Sequence, residues 1–208
     1  MRIFGIDPGS ERTGYGCVET DGFRHRLVDC GAITSPVSTS FPKRLLLIHT
    51  RLAELIGQLA PDCVAIENLF FATNVKSALK LGHARGVAML AAVEAGVPVM
   101  EYTPAEIKRA VVGYGRAEKH QVQQMVKLIL GLSAVPSPND VADALAVAIC
   151  HVHSHRALRA AGHGPGRRTA SARATSWRTY RPAAAPEALR RGKPASAPAL
   201  RRGKLAGS

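Results

Sequence analysis

Ile3-Phe4-Gly5-Ile6-Asp7-Pro8-Gly9-Ser10 opens the chain with a short apolar run that ends on a carboxylate and turns at once. Such a run suits a buried strand, and Pro8 and Gly9 fill the two central positions of a turn. Residues 14–19 then read as the returning arm of a β-hairpin. Asp21-Gly22 marks the next turn, so residues 24–33 form a third antiparallel strand. Further along, Cys63-Val64-Ala65-Ile66-Glu67 repeats the opening design, an apolar strand finishing on an acid.

Between these strands the period changes. From Phe41, the residues Leu45, Ile48, Leu52, Leu55, Ile56 and Leu59 recur at intervals of three and four, which predicts an amphipathic helix stopped by Pro61. Residues 74–95 read as a helix rich in small side chains. Glycine costs a helix roughly 1 kcal/mol relative to alanine, so Gly82 and Gly86 on one face predict a close neighbour there, helix-on-sheet packing first and a dimer surface second. A strand over 97–102 follows. A helix then starts at Thr103-Pro104 and is broken by Gly113-Tyr114-Gly115, and two more span about 118–130 and 139–155. Hairpin strands followed by strand–helix–strand crossovers predict an α/β fold with a mixed sheet flanked by helices.

The net charge of +13 is unevenly placed. Residues 1–155 carry 15 Lys/Arg against 14 Asp/Glu, whereas residues 156–208 carry 13 against 1. The second stretch consists largely of Ala, Pro, Gly, Ser and Arg, and Ala188-Leu189-Arg190-Arg191-Gly192-Lys193 recurs as Ala199-Leu200-Arg201-Arg202-Gly203-Lys204. Such a composition cannot bury a core, so 1–155 is expected to be the folded domain and 156–208 a disordered basic tail. Trp177 and Tyr180 among its arginines suit either stacking on DNA or a dispensable extension. Cys17, Cys30, Cys63 and Cys150 stand far apart without metal-type spacing, as reduced thiols in a cytoplasmic protein would. Asp7 comes too early for a secretory signal, and no stretch approaches a membrane span.

Two acids at strand ends need an explanation. In open α/β sheets ligands gather outside the carboxyl ends of parallel strands, where Asp7 and Glu67 are expected. Asp140-Val141-Ala142-Asp143 sets two more acids at i and i+3 on one face of an otherwise apolar helix that must lie against the sheet. Four converging carboxylates raise one another's pKa values unless a cation neutralises them. Hard oxygen donors point to Mg²⁺, or Mn²⁺ in its place. Two such ions roughly 3.5–4 Å apart can activate water and stabilise the leaving oxygen of a phosphodiester displacement. Read singly, Asp140 as a helix cap, Asp143 as a dipole partner and Glu67 as a strand-end charge would each be ordinary; four in this order of elements are not.

The motifs Gly5-Ile6-Asp7-Pro8-Gly9-Ser10 with Thr13-Gly14-Tyr15-Gly16, Ala65-Ile66-Glu67, residues 77–86 from Ser77 to Gly86, Ala117-Glu118-Lys119, and residues 140–146 from Asp140 to Ala146 resemble the RuvC family of Holliday-junction resolvases. The resemblance covers residues 1 to about 155. It implies an RNase H-like fold with a mixed five-stranded sheet, and a Mg²⁺-dependent homodimer with two ions per subunit. Each subunit would nick one of two opposed strands at a four-way DNA junction. Asp7, Glu67, Asp140 and Asp143 then become the metal-binding catalytic acids. The resemblance also brings Lys119 to the catalytic centre and makes Lys108 a phosphate contact. It sets Phe70 at the junction's opened bases and implies branch-migration motors of the RuvA and RuvB type as partners. Many members carry alanine where Val141 stands here, and many stop soon after the last helix.

The remaining basic residues are read from the sequence itself. Lys76 and Lys80 lie one helical turn apart, with Arg85 beyond them, as a stripe able to contact phosphates without reading sequence. Arg116 beside two glycines suits a DNA-gripping loop. Phe70 and Phe71 are adjacent, so one of them is expected to be exposed and free to stack. His151, His153 and His155 fall at the predicted end of the last helix, where imidazolium charge suits the dipole better than a metal does. Two rival functions use fewer of these features. An actin-like or sugar-kinase ATPase would share the first hairpin but needs a second phosphate hairpin, and a non-catalytic DNA-binding module leaves four acids unexplained.

Overall fold

β1 (Arg2–Asp7) is the middle strand of the sheet and organises what surrounds it. It pairs antiparallel with β2 (Arg12–Thr20), which pairs in turn with β3 (His25–Thr34). On its other side it pairs parallel with β4 (Cys63–Glu67), and β4 pairs parallel with β5 (Val99–Tyr102). The order β3-β2-β1-β4-β5 is the mixed five-stranded sheet the sequence predicts. This computed structural model describes residues 1–68 and 74–161, with side chains through 155. Phe70, Phe71 and nearly all of the basic stretch 156–208 lie outside the described residues.

Helices cover both faces. α1 (Phe41–Leu59) and α2 (Val75–Glu94) bury Ile48, Leu52, Leu55, Ile56 and a row of alanines against Phe4, Ile6, Val64 and Ile66. On the opposite face lie α3 (Pro104–Val112), α4 (Lys119–Ile129) and α5 (Asn139–Ala161). α5 crosses β1, β2 and β4 and carries α3 and α4 on its outer side, so it is apolar nearly all round. Thr103 and Glu106 close a reciprocal cap at the start of α3, and Gly113 ends that helix in the left-handed conformation.

Glycines let α5 come this close. A Cβ built on Gly5 would stand 2.0 Å from the main-chain oxygen of Ala144, and one on Gly14 would stand 2.0 Å from that of Asp140. Gly5→Ala is therefore expected to push α5 off the sheet and cost roughly 3 kcal/mol, lowering Tm by about 6–12 °C in a thermal melt. An unchanged Tm would show that the helix can retreat freely.

Two expectations are corrected. α2 buries Ala84, Ala88, Ala91 and Ala92 against the sheet, whereas Gly82 and Gly86 face outward with nothing within 4 Å of an added Cβ. Glycine and alanine are both small, and size alone did not tell the two faces apart. α5 also runs to Ala161, six residues past His155, because no breaker stands before Gly162. The histidines are thus within the helix. His151 is buried and hydrogen-bonded through Nδ1 to Tyr102 Oη (2.7 Å); burial, with His155 beside it, lowers its pKa to about 4, so it is neutral. His153 Nδ1 donates to the carbonyl of Ala110 (2.8 Å).

All four cysteines are free thiols, three of them buried. No described helix is long and apolar enough to cross a membrane.

Candidate active site

The parallel register Ile6↔Ile66 brings the carboxyl ends of β1 and β4 side by side, which makes Asp7 and Glu67 neighbours at one end of the sheet. Across the hairpin, Asp7 pairs with Gly14. Asp140 lies with its main chain directly over that glycine, so the start of α5 is fixed beside Asp7, and Asp143 follows on the same helical face. The four acids named from sequence come from three elements that only the folded sheet brings together.

Their charges act on one another. Burial pushes the Asp7 carboxyl up to about 7, with further upward pressure from Asp143, Glu67 and Asp140. Burial and then Asp143 raise Glu67 too. Lys119, the first residue of α4, counters this. Its Nζ stands 2.6 Å from Asp143 Oδ2. Burial pulls the ammonium pKa down, but the hydrogen bond and charge of Asp143 outweigh it and leave the pKa raised, so Lys119 is fully charged at neutral pH. A cleft of about 250 Å³ opens beside these groups, bounded by Glu67, Lys108, Lys119 and Asp143 on its polar side and by Ile107 and Val122 on its apolar side.

This donor set fits a hard divalent cation. Every candidate ligand is a carboxylate oxygen, and Asp7 and Glu67 are raised by burial first and by neighbouring carboxylates second, a surrounding that a bound cation would relieve. Among the described residues no three such side chains enclose a single point at ligating distance.

The other predicted residues fall in several places. Lys108 and Lys119 join the acids at the cleft. Lys76 and Lys80 are exposed at the start of α2, and Arg116 is exposed in the turn before α4. Arg85 departs from the predicted stripe. It turns inward, donating from Nε to the main-chain oxygen of Glu67 (3.2 Å) and pairing with Glu101. Phe70 lies outside the described residues.

Sequence reading missed two things here. Arg12 lies 3.4 Å from Asp140 Oδ2 as a second positive charge at the rim. Gly5 and Gly14 decide where α5 sits; the glycine at every second residue of 14–16, facing one on β1, was the available signal, since it leaves one sheet face without side chains.

A family model described as Crossover junction endodeoxyribonuclease RuvC matches residues 3–151. The chain is 56% identical over 156 residues to the crossover junction endodeoxyribonuclease RuvC of Ruminiclostridium cellulolyticum, covering 75% of this chain and 94% of that relative. It is 52% identical over 182 residues to the protein of the same name from Trichlorobacter lovleyi, covering 88% and 100%. Among solved structures, that of Thermus thermophilus RuvC in complex with Holliday junction substrate is similar with a TM-score of 0.73 at 39% identity, over 76% of this chain and 96% of that one. With a family match spanning well over half its length and relatives more than 50% identical, this chain belongs to the RuvC family of crossover junction endodeoxyribonucleases.

Proposed function

We propose that the chain resolves four-way DNA junctions as a homodimer, each subunit hydrolysing one phosphodiester with the help of two Mg²⁺ ions, for which Mn²⁺ can substitute. The carrying observation is the set of four carboxylates at the shared end of β1 and β4, with Asp7 pushed up to about 7. Such a cluster repels DNA by itself and suits it only once cations neutralise the acids. Asp7 and Glu67 from the sheet, with Asp140 and Asp143 from α5, would hold the ions. Bound there, the metal would supply an activated water and stabilise the leaving oxygen.

The chain's own groups do the rest. Lys119, already charged and beside Asp143, can move to the scissile phosphate and offset charge that develops there. Lys108, on the same polar side of the cleft, holds the phosphate beside it. Lys76, Lys80 and Arg116 supply phosphate contacts farther out, and Phe70 stacks on an opened base. Residues 156–208 extend the 1–155 nuclease domain with basic contacts to DNA, in the cytoplasm, alongside motor proteins of the RuvA and RuvB type. The ATPase and the non-catalytic module do not account for the acids or for the family match.

The outward face of α2 supports the dimer. Leu79 (60% exposed) and Leu90 (49%) flank the bare backbone at Gly82 and Gly86 in an apolar groove that a second copy of the same helix would fill, and Val93 (62%) is exposed farther along the helix. The double substitution Leu79→Glu with Leu90→Glu is expected to give a monomer by sedimentation velocity and to abolish paired nicking. A stable dimer in that variant would place the interface elsewhere.

The test of the activity is cleavage of an immobile four-way junction beside a linear duplex of the same sequence, with Mg²⁺ or with chelator. Paired nicks on the junction alone, and only with metal, are expected. Equal cutting of the duplex, or cutting in chelator, would overturn the proposal.

A further inference from the structure

Arg85 joins the outward-facing helix to the acidic site. It sits on α2, whose outer face carries the apolar groove, yet its side chain is only 22% exposed because it points inward. Nε donates to the main-chain oxygen of Glu67 at 3.2 Å, and the other end of the guanidinium pairs with Glu101 on β5. One residue thus ties α2, the last peptide of β4 and the neighbouring strand together. The fork is rigid and planar, so anchoring it on Glu101 fixes where Nε points.

Glu67 needs such a tie. It is the last residue of β4, and the chain leaves the sheet just beyond it, after Asn68 donates its N–H to the oxygen of Tyr102 (2.7 Å). The orientation of its peptide sets the direction of its carboxylate. The charges acting on that carboxyl come from Asp143, Lys119 and Lys108. Arg85 therefore reaches Glu67 through the main chain and not by neutralising it.

We infer that Arg85 is a positioning residue: anchored on Glu101, it holds the peptide of Glu67 so that the carboxylate stays where a metal ion must find it, and it fastens that position to α2. Outer contacts of this kind orient ligands without touching the ion. The inference rests on the reading of Glu67 as a metal-holding acid. It also gives the inward-turned Arg85 a task in place of the phosphate contact expected from sequence.

The experiment titrates Mn²⁺ into the full-length protein without DNA, followed by electron paramagnetic resonance, for wild type, Arg85→Met, Arg85→Lys and Glu67→Gln. Arg85→Met keeps the volume of the stem and loses both donors. It is expected to weaken Mn²⁺ binding about tenfold, the lower end for an outer contact, while the protein stays dimeric. Cleavage should return toward the wild-type rate as metal is raised. Arg85→Lys keeps the charge and one contact and should fall between. A lower Tm with wild-type Mn²⁺ affinity in Arg85→Met would make the residue merely structural and overturn the inference. Should Arg85→Met fail to fold, Arg85→Lys decides in the same way, an unchanged affinity counting against it. Wild-type affinity in Glu67→Gln would remove the metal reading itself, and this inference with it; loss of affinity there but not at Arg85 removes the inference alone.

Discussion

Asp7→Asn is expected to lose junction cleavage by roughly three orders of magnitude, because a divalent ion's stabilisation of transition-state charge is worth several kcal/mol and each 1.36 kcal/mol is a decade in rate. Asparagine keeps the shape of the side chain on β1 but removes the charge that would hold the ion, and Asp7 is the acid on which the other three all press. Junction binding should survive. The groups proposed to contact phosphate are Lys76, Lys80, Lys108, Lys119 and Arg116, and none of them is hydrogen-bonded or ion-paired to Asp7 among the described residues. Removing one negative charge beside the DNA path should even tighten binding slightly in low-salt chelator, where screening is weakest. Gel-shift and cleavage assays on the same labelled junction separate the two effects. Near-normal cleavage by the variant would remove the four acids from the chemistry, and lost binding would mean that the substitution disturbs the hairpin.

How much of this was legible depends on the range of the physics involved. β1, β4 and the first turn of α5 announce themselves locally, by apolar runs ending on acids and by an i, i+3 pair on an apolar helix. Convergence of Asp7 and Glu67 then follows from the parallel register, because both strands end on the same side of the sheet, whereas Asp140 and Asp143 join them only because Gly5 and Gly14 let α5 settle there. What sequence did not disclose depends on contacts between residues far apart. Arg12 meets Asp140 across 128 positions, and Arg85 meets Glu67 across 18, with neither spacing tied to a helical or strand period. Arg85 illustrates the failure well. Lys76 and Lys80 one turn apart, with Arg85 beyond them, suggested a stripe of phosphate contacts, but the packing of Ala84 and Ala88 on the sheet turns the intervening Arg85 toward β4 and β5. His151 fails for a related reason: its partner Tyr102 is 49 residues away, and burial rather than the helix end sets its charge.

The same Asp7→Asn substitution should stabilise the metal-free protein, and by an amount that depends on pH. Asp7 has a folded pKa raised from 3.8 to about 7. Below about pH 4 the carboxyl is neutral in both states, and no penalty exists. Between 4 and 7 the folded form binds more protons than the unfolded one, so stability falls as pH rises, and above 7 the loss is complete. The full penalty is on the order of 4 kcal/mol. The wild type alone would not display this cleanly. His151, lowered to about 4, is linked with the opposite sign, since its neutral folded form gains stability as pH rises from 4 toward 6.5. The difference between the two proteins cancels that contribution, because His151 is common to both. In chelator, urea unfolding should therefore show wild type and Asp7→Asn nearly matched at pH 4, and the variant more stable by roughly 4 kcal/mol at pH 7.5. Adding Mg²⁺ at pH 7.5 should narrow the gap from the wild-type side, because an ion held by the acids stabilises only the folded state that binds it. A gap independent of pH would mean that asparagine simply packs better at the end of β1. A gap that tracks pH but ignores Mg²⁺ would mean that the acids repel one another without ever sharing a cation, and would send the metal reading back to Glu67, Asp140 and Asp143 one residue at a time.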